Sequence, residues 1–209
     1  MTNLNSNIEY LTFTFDNLNE IREKSLSISR EIIRDCSKSI RHIHRNDTNG
    51  AKQYLDAASL NVKKLKNLCK NVSEINNAGY VLDAEREFVE AVLVYKYELE
   101  GSVEVFKKFS VHPSSYIQGI GDAIGEWRRK ALDSLKELNL KKSEEYLHVM
   151  EECLGILVEL DYPDALTGGL RRYADNAKSL IEKTRSEITS AFISESLRKD
   201  ISKITTNEL

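Results

Sequence analysis

Apolar residues recur at helical spacing along almost the whole chain, and only Pro113 and Pro163 interrupt them. The periodic stretches exceed the roughly 11-residue average helix, which predicts long helices stacked side by side. A first helix is expected from about Asp16 to Arg45, with Ile21, Ile28, Ile32, Cys36, Ile40 and Ile43 as its apolar stripe and RNDTNG ending it. A second follows from about Thr48 to Val72. NNAG breaks the chain before a third, about Tyr80 to Gly101, which is apolar nearly all round its middle and so belongs at the centre of a bundle. After a less regular link ending in SVHPSS, Pro113 opens a fourth helix reaching about Leu138, and NLKKSEEYLHVMEECLGILVEL forms a fifth. DYPDALTGG breaks the pattern again. A sixth helix runs from about Leu170 to Ala191, FISESLRKDISKI can continue it, and the polar last residues are expected to fray. The pattern therefore predicts an all-α fold, a bundle of about six to seven long antiparallel helices.

Composition agrees with that class. The 209 residues suit one domain, taken as 1–209, and 41% hydrophobic with 30% charged residues, nine glycines and two prolines reads as soluble and helix-rich. A net charge of −3 and a pI near 5.9 supply no global basic field. Any nucleic-acid binding must then come from a local patch, an assembled cavity or bound metal. Cys36, Cys69 and Cys153 are odd in number, far apart and without CxxC spacing, as expected of buried thiols from a reducing compartment. MTNLNSNIEYLTFTF lacks the basic and apolar regions of a signal peptide, and no apolar run approaches the roughly 20 residues of a membrane span. A cytoplasmic protein with no membrane partner is expected. No internal repeat, P-loop, GxGxxG, nucleophile elbow or zinc spacing is present.

One residue stands out against the pattern. From Phe88 to Tyr95 in EREFVEAVLVYKYELEG every position is apolar or aromatic except Glu90, and Glu87 lies three residues earlier on the same helical face. An unpaired buried carboxylate costs several kcal/mol or takes up a proton, so Glu90 requires a cation, a hydrogen-bond donor or a metal ion. GIGDAIGEWRR offers a second pair, Asp122 and Glu126, four apart and surrounded by Gly119, Gly121 and Gly125. Each mid-helix glycine costs about 1 kcal/mol against alanine. Two reasons can justify them: close packing against another helix, or space for a ligand beside Asp122. Four carboxylates on two facing helices would suit a hard cation, Mg²⁺ or Mn²⁺. The same spacings also serve solvated ion pairs, and spacing alone does not decide between them.

At these residues the chain resembles the translin family. REKSLSISREIIRDCSKSIRHIHR (22–45) is similar to the family's first helix, EFVEAVLVYKYELEG to its acidic central segment, IQGIGDAIGEWRR to its Gly-Asp-x-x-Gly-Glu type segment, and DYPDALTGGLRRYADNAKSLIEKTRSEIT to its closing signature. The resemblance spans roughly residues 17–190 and implies a helical bundle that assembles into a hollow homo-oligomer, often an octamer, acting on single-stranded RNA or DNA. It further implies that Glu87, Glu90 and Asp122 fall on the catalytic acids of nuclease-competent members, with Glu126 on an acid one turn further. Binding-only members carry basic and aromatic residues where the first acidic motif stands here. The acids therefore favour a Mg²⁺-dependent endoribonuclease of the single-subunit, archaeal type, in which Glu90 and Asp122 ligate the ion and Glu87 ligates or orients the attacking water. The alternative is a non-catalytic single-stranded RNA- or DNA-binding protein.

The first helix adds a basic stripe, Arg30, Arg34, Lys38, Arg41 and Arg45, able to follow a phosphate backbone or, more simply, to be a solvated or ion-paired face. Arg128, Arg129, Arg171 and Arg172 are weaker candidates. His42 and His44 have no cysteine or second acid nearby to complete a metal site. Trp127 and Tyr116 can stack on bases, yet their spacing with Ile120 and Ile124 fits a core.

Overall fold

Helix persists wherever no breaker stops it. The computed structural model describes residues 2–104 and 106–207, with side chains for 6–104 and 106–203. Six long helices lie at α1 (Thr2–His44), α2 (Thr48–Cys69), α4 (Gly79–Glu100), α5 (Pro113–Lys136), α6 (Leu140–Glu159) and α8 (Leu170–Asn207). Two single turns, α3 (Ser73–Asn76) and α7 (Asp164–Thr167), and a 3-10 turn at Phe106–Lys108 fill the links. Among the described residues there is no strand, and no helix is long and apolar enough to cross a membrane.

Two boundaries differ from those predicted. α1 begins at Thr2 rather than near Asp16, because residues 2–44 contain neither Gly nor Pro and nothing halts the helix. α8 continues without a break to Asn207; the last two residues, where fraying is expected, lie outside the described residues. The stops are otherwise local chemistry. Gly101 adopts φ 63° and its N–H reaches Tyr97 O at 2.9 Å, while Asn46 takes the left-handed conformation after α1. Asp47 and Asn139 cap α2 and α6 by accepting the Gly50 and Lys142 N–H groups.

The chain gathers into two compact units, Met1–Gly119 and Ile120–Leu209, with α5 running through the junction. In the first, α1, α2 and α4 pack on one another, and α2 returns antiparallel to α1 after a tight turn. The buried positions of α1 are Ser25, Ser29, Ile32, Cys36, Ser39 and Ile43, with Ile40 beside them. Their spacing of four, three, four, three and four is the seam of helices that cross at shallow angles. Ile21 and Ile28, expected in the stripe, are only half-buried, and serines take the seam instead. A serine there is small, and two of the three are satisfied on backbone carbonyls: Ser39 Oγ donates to Ala51 O of α2 at 2.9 Å and Ser25 Oγ donates to Ile21 O of its own helix. In the second unit Trp127, Ile120 and Ile124 of α5, Tyr146 and Met150 of α6, and Ile181 of α8 are buried, and Ser143 Oγ of α6 donates to Ala131 O of α5 at 3.0 Å. All three cysteines are buried and free, and burial pushes the Cys153 thiol up to about 12.

Glu85 is 1% exposed and ties three segments of the first unit together. Its Oε1 lies 2.5 Å from Lys66 Nζ of α2, and its Oε2 accepts the His112 N–H at 2.7 Å, anchoring the link before α5 to α4. Removing one member of a buried pair leaves the other charge uncompensated, so Glu85→Ala is expected to lose about 3 kcal/mol in urea unfolding. Glu85→Gln, which keeps an acceptor for the His112 N–H, should lose less. A loss below about 1 kcal/mol for Glu85→Ala, the value of an exposed pair, would show that the anchor is not structural.

Candidate carboxylate site and nucleic-acid interface

α4 is apolar on nearly every side because other helices cover it, and Glu90 is caught in that cover at 9% exposure, between Val89 and Ala91. Glu87 lies one turn earlier and is about a quarter exposed; Arg86 reaches its Oε1 at 3.3 Å and Asp83 Oδ1 at 3.2 Å. Both carboxylates are felt across the seam. The Cys36 thiol of α1 is held well above its usual range, first by burial and then by the charges of Glu87, Glu90 and Asp35. Glu87 and Glu90 thus share the side of α4 that meets α1.

Asp122 and Glu126 stand one turn apart on α5, both half-buried. The three glycines around them divide between the two expected reasons. A Cβ on Gly119 would come within 2.7 Å of Val89 Cβ and 2.9 Å of Arg86 O, so here α5 touches the α4 backbone. One on Gly121 would strike the Tyr173 ring. One on Gly125 would meet nothing within 4 Å, so its helix cost is not explained by packing.

Carboxylate oxygens are the ligands a hard dication takes, and the donor type fits Mg²⁺ or Mn²⁺. Among the described residues no three His, Cys, Asp or Glu side chains converge into a ready-made metal cluster. Mg²⁺ does not need one, since it commonly keeps several waters and uses one or two carboxylates with a substrate phosphate. The fit is to a site completed by substrate and water rather than to a closed protein cage.

The basic stripe is solvent-facing: Arg30, Arg34, Arg41 and Arg45 are exposed and Lys38 is half-buried over the Tyr54 ring at 4.9 Å. Among the described residues none of the five has a carboxylate within ion-pair distance, so an ion-paired face is not what they form. At about 100° per residue all five fall opposite Cys36 on α1. The helix body, roughly 10 Å across, separates the stripe from the side that meets Glu87 and Glu90. One α1 does not present its cations and those carboxylates to the same phosphate.

The remaining candidates resolve into structure. Trp127 is fully buried, and Tyr116 donates to Glu104 O at 2.9 Å and packs on Phe106 and Phe109, so neither offers a free stacking face. Arg128 donates to Thr184 Oγ1 and pairs with Glu187 at 3.1 Å, whereas Arg129, Arg171 and Arg172 are exposed. His42 Nδ1 donates to Asp47 Oδ2 at 2.8 Å and its ring lies 5.3 Å from Tyr54. Two features were not foreseen from the sequence. Glu85 shares the face of fully buried Val81 and Val89 at four-residue spacing, so the test that singled out Glu90 applies equally to it. Tyr54 beneath Lys38 had no such signal, because its partner comes from another helix.

A two-unit helical protein with an inward acidic face on α4 and an exposed cationic face on α1 is the class these features define. No family model matches the chain. An uncharacterised protein of Methanocaldococcus jannaschii is 34% identical over 206 residues, 98% of this chain and 89% of that protein. The solved structure of AfC3PO in complex with duplex RNA matches with a TM-score of 0.84 at 31% identity, covering 90% of this chain and 97% of that one. The structure of apo-NeC3PO matches with a TM-score of 0.79 at 23% identity, over 88% of this chain and 97% of that chain, and so shares the fold. The chain belongs to the translin family.

The glycines yield opposite expectations. Gly119→Ala should cost about 1–3 kcal/mol by forcing α5 off α4, whereas Gly125→Ala should stabilise by about 0.5–1 kcal/mol through helix propensity alone. Thermal unfolding of both variants checks this, and a destabilising Gly125→Ala would mean that its open space is packed in the native particle.

Proposed function

We propose that the chain is a Mg²⁺- or Mn²⁺-dependent endoribonuclease of the cytoplasm that binds and cuts single-stranded RNA within a homo-oligomer, an octamer. The observation that carries this reading is Glu90, a carboxylate buried in an otherwise apolar turn with Glu87 beside it on one face. The similarity to AfC3PO, solved with duplex RNA, supports RNA as the polymer.

Glu87, Glu90, Asp122 and Glu126 are the residues that hold the cation. When bound, it supplies Lewis-acid polarisation of a phosphoryl oxygen and a water of lowered pKa. Glu90 and Asp122 are the principal ligands; Glu87, already drawn toward Arg86, ligates or orients the attacking water, and Glu126 ligates or supports from one turn away. Arg30, Arg34, Lys38, Arg41 and Arg45 grip the phosphate backbone, a contact that does not read sequence or distinguish ribose from deoxyribose, so single-stranded DNA is also bound.

Oligomerisation is supported by apolar surface that a monomer leaves bare. Ile8, Leu11 and Phe15 line one face of the first turns of α1, and Ile193, Leu197 and Ile201 recur every four residues on α8, all more than half exposed. Because the cations and the carboxylates stand on opposite sides of α1, RNA reaches the acids by passing the end of that helix or from a neighbouring copy. Three buried, free thiols accord with a reducing compartment.

Labelled single-stranded RNA incubated with the protein should be cut in Mg²⁺ or Mn²⁺ and left whole in EDTA. Glu90→Ala should cut at least about 100-fold more slowly while still retaining RNA in a gel-shift assay. Retention without metal-dependent cleavage would make the chain a binding protein, and full activity in Glu90→Ala would remove Glu90 from the site.

A further inference from the structure

The stripe on α1 ends at a partly open concavity. At the turn into α2, Lys38, Arg41, His42, Arg45 and Tyr54 line a pocket of about 190 Å³. That is smaller than the roughly 300–1,000 Å³ of cavities enclosing a whole small ligand, so it takes one chemical group. Its walls are built rather than incidental. His42 is held by Asp47, whose carboxylate is kept below its usual range by the Gly50 N–H and by His42, and a Cβ on Gly50 would strike both side chains. Tyr54 is clamped between the His42 ring and the Lys38 ammonium. Three cations against the one carboxylate of Asp47 leave the pocket strongly positive, with no ion pair among the described residues occupying Lys38, Arg41 or Arg45.

We infer that this pocket receives the terminal phosphate monoester of an RNA strand. The inference rests on the RNA-binding reading above. An internal phosphodiester carries one charge and must let the strand leave on both sides, which suits the open stripe at Arg30 and Arg34. A terminal monoester carries about −1.5 to −2 at neutral pH with three acceptor oxygens, which matches in charge and in acceptors a small, partly open pocket lined by two guanidinium groups and an ammonium. A 5′-phosphate and a 3′-phosphate share this chemistry. The pocket lies on the face of α1 away from Glu87 and Glu90, so it anchors a strand end at a distance from the carboxylates.

Fluorescence anisotropy in EDTA, with the full-length protein and short RNAs of one sequence bearing a 5′-phosphate, a 3′-phosphate or hydroxyls at both ends, tests this. One of the phosphorylated RNAs should bind about tenfold more tightly than the hydroxyl-ended one, the equivalent of one charge-assisted contact set. The RNA that gains identifies the end. In Arg41→Ala and in Tyr54→Ala that ratio should fall toward one, whereas Arg30→Ala with Arg34→Ala should weaken all three RNAs and keep the ratio. Circular dichroism confirms that each variant folds. Equal binding of the three RNAs by the wild type would overturn the pocket and leave the nuclease reading standing; no binding of any RNA would overturn both. A ratio unchanged in both Arg41→Ala and Tyr54→Ala would put the preference elsewhere and overturn this assignment.

Discussion

Everything in the first unit depends on how closely α1 can approach its neighbours. Its seam places serine and cysteine where larger side chains would hold the helices apart, and the Ser25 and Ser39 hydroxyls are satisfied on nearby backbone carbonyls. The close approach lets α4 be covered on nearly all sides, and that cover turns the carboxylates of Glu85 and Glu90 from ordinary surface charges into buried ones. A looser bundle would leave both solvated, and neither would have any structural or chemical significance.

Those two acids carry the same physical cost. Glu85 is matched within the fold by Lys66 and the His112 amide, so its burial secures the link that leads into α5. Glu90 sits five residues later, next to the face Glu87 shares, and its charge is felt at Cys36 across the seam. The same apolar context that makes a carboxylate expensive also makes it effective, because interactions with a cation or a phosphate are stronger where water is scarce. Membership of the translin family and the likeness to AfC3PO give that arrangement a chemical context, while α1 carries a solvent-facing cationic side that the overall charge of −3 does not reveal.

Much of this was legible in the order of residues. Long apolar periodicity between rare breakers specifies long helices whatever their neighbours, and so the six principal helices, the stops at Asn46 and Gly101 and the burial of the cysteines follow from local chemistry. The oddness of Glu90 was equally visible, since a carboxylate inside an eight-residue apolar run conflicts with its own helix. The start of α1 was less so, because an amphipathic stretch without a breaker extends a helix even when its apolar side has nothing of its own chain to cover it.

What only the tertiary structure decided concerns residues whose meaning lies on another element. Gly119, Gly121 and Gly125 look alike in sequence, yet one meets a neighbouring backbone, one a tyrosine ring and one open space. Glu85 passes the same periodicity test as Glu90, yet only the fold shows that Lys66 and the His112 amide meet it. Lys38 is one more cation of the stripe until Tyr54 arrives beneath it from α2 and gives the stripe a concave end. Helix formation is governed by interactions three and four residues apart, which a sequence displays directly. The identity of a side chain's partner depends on which helix faces reach contact, and that is settled by packing alone.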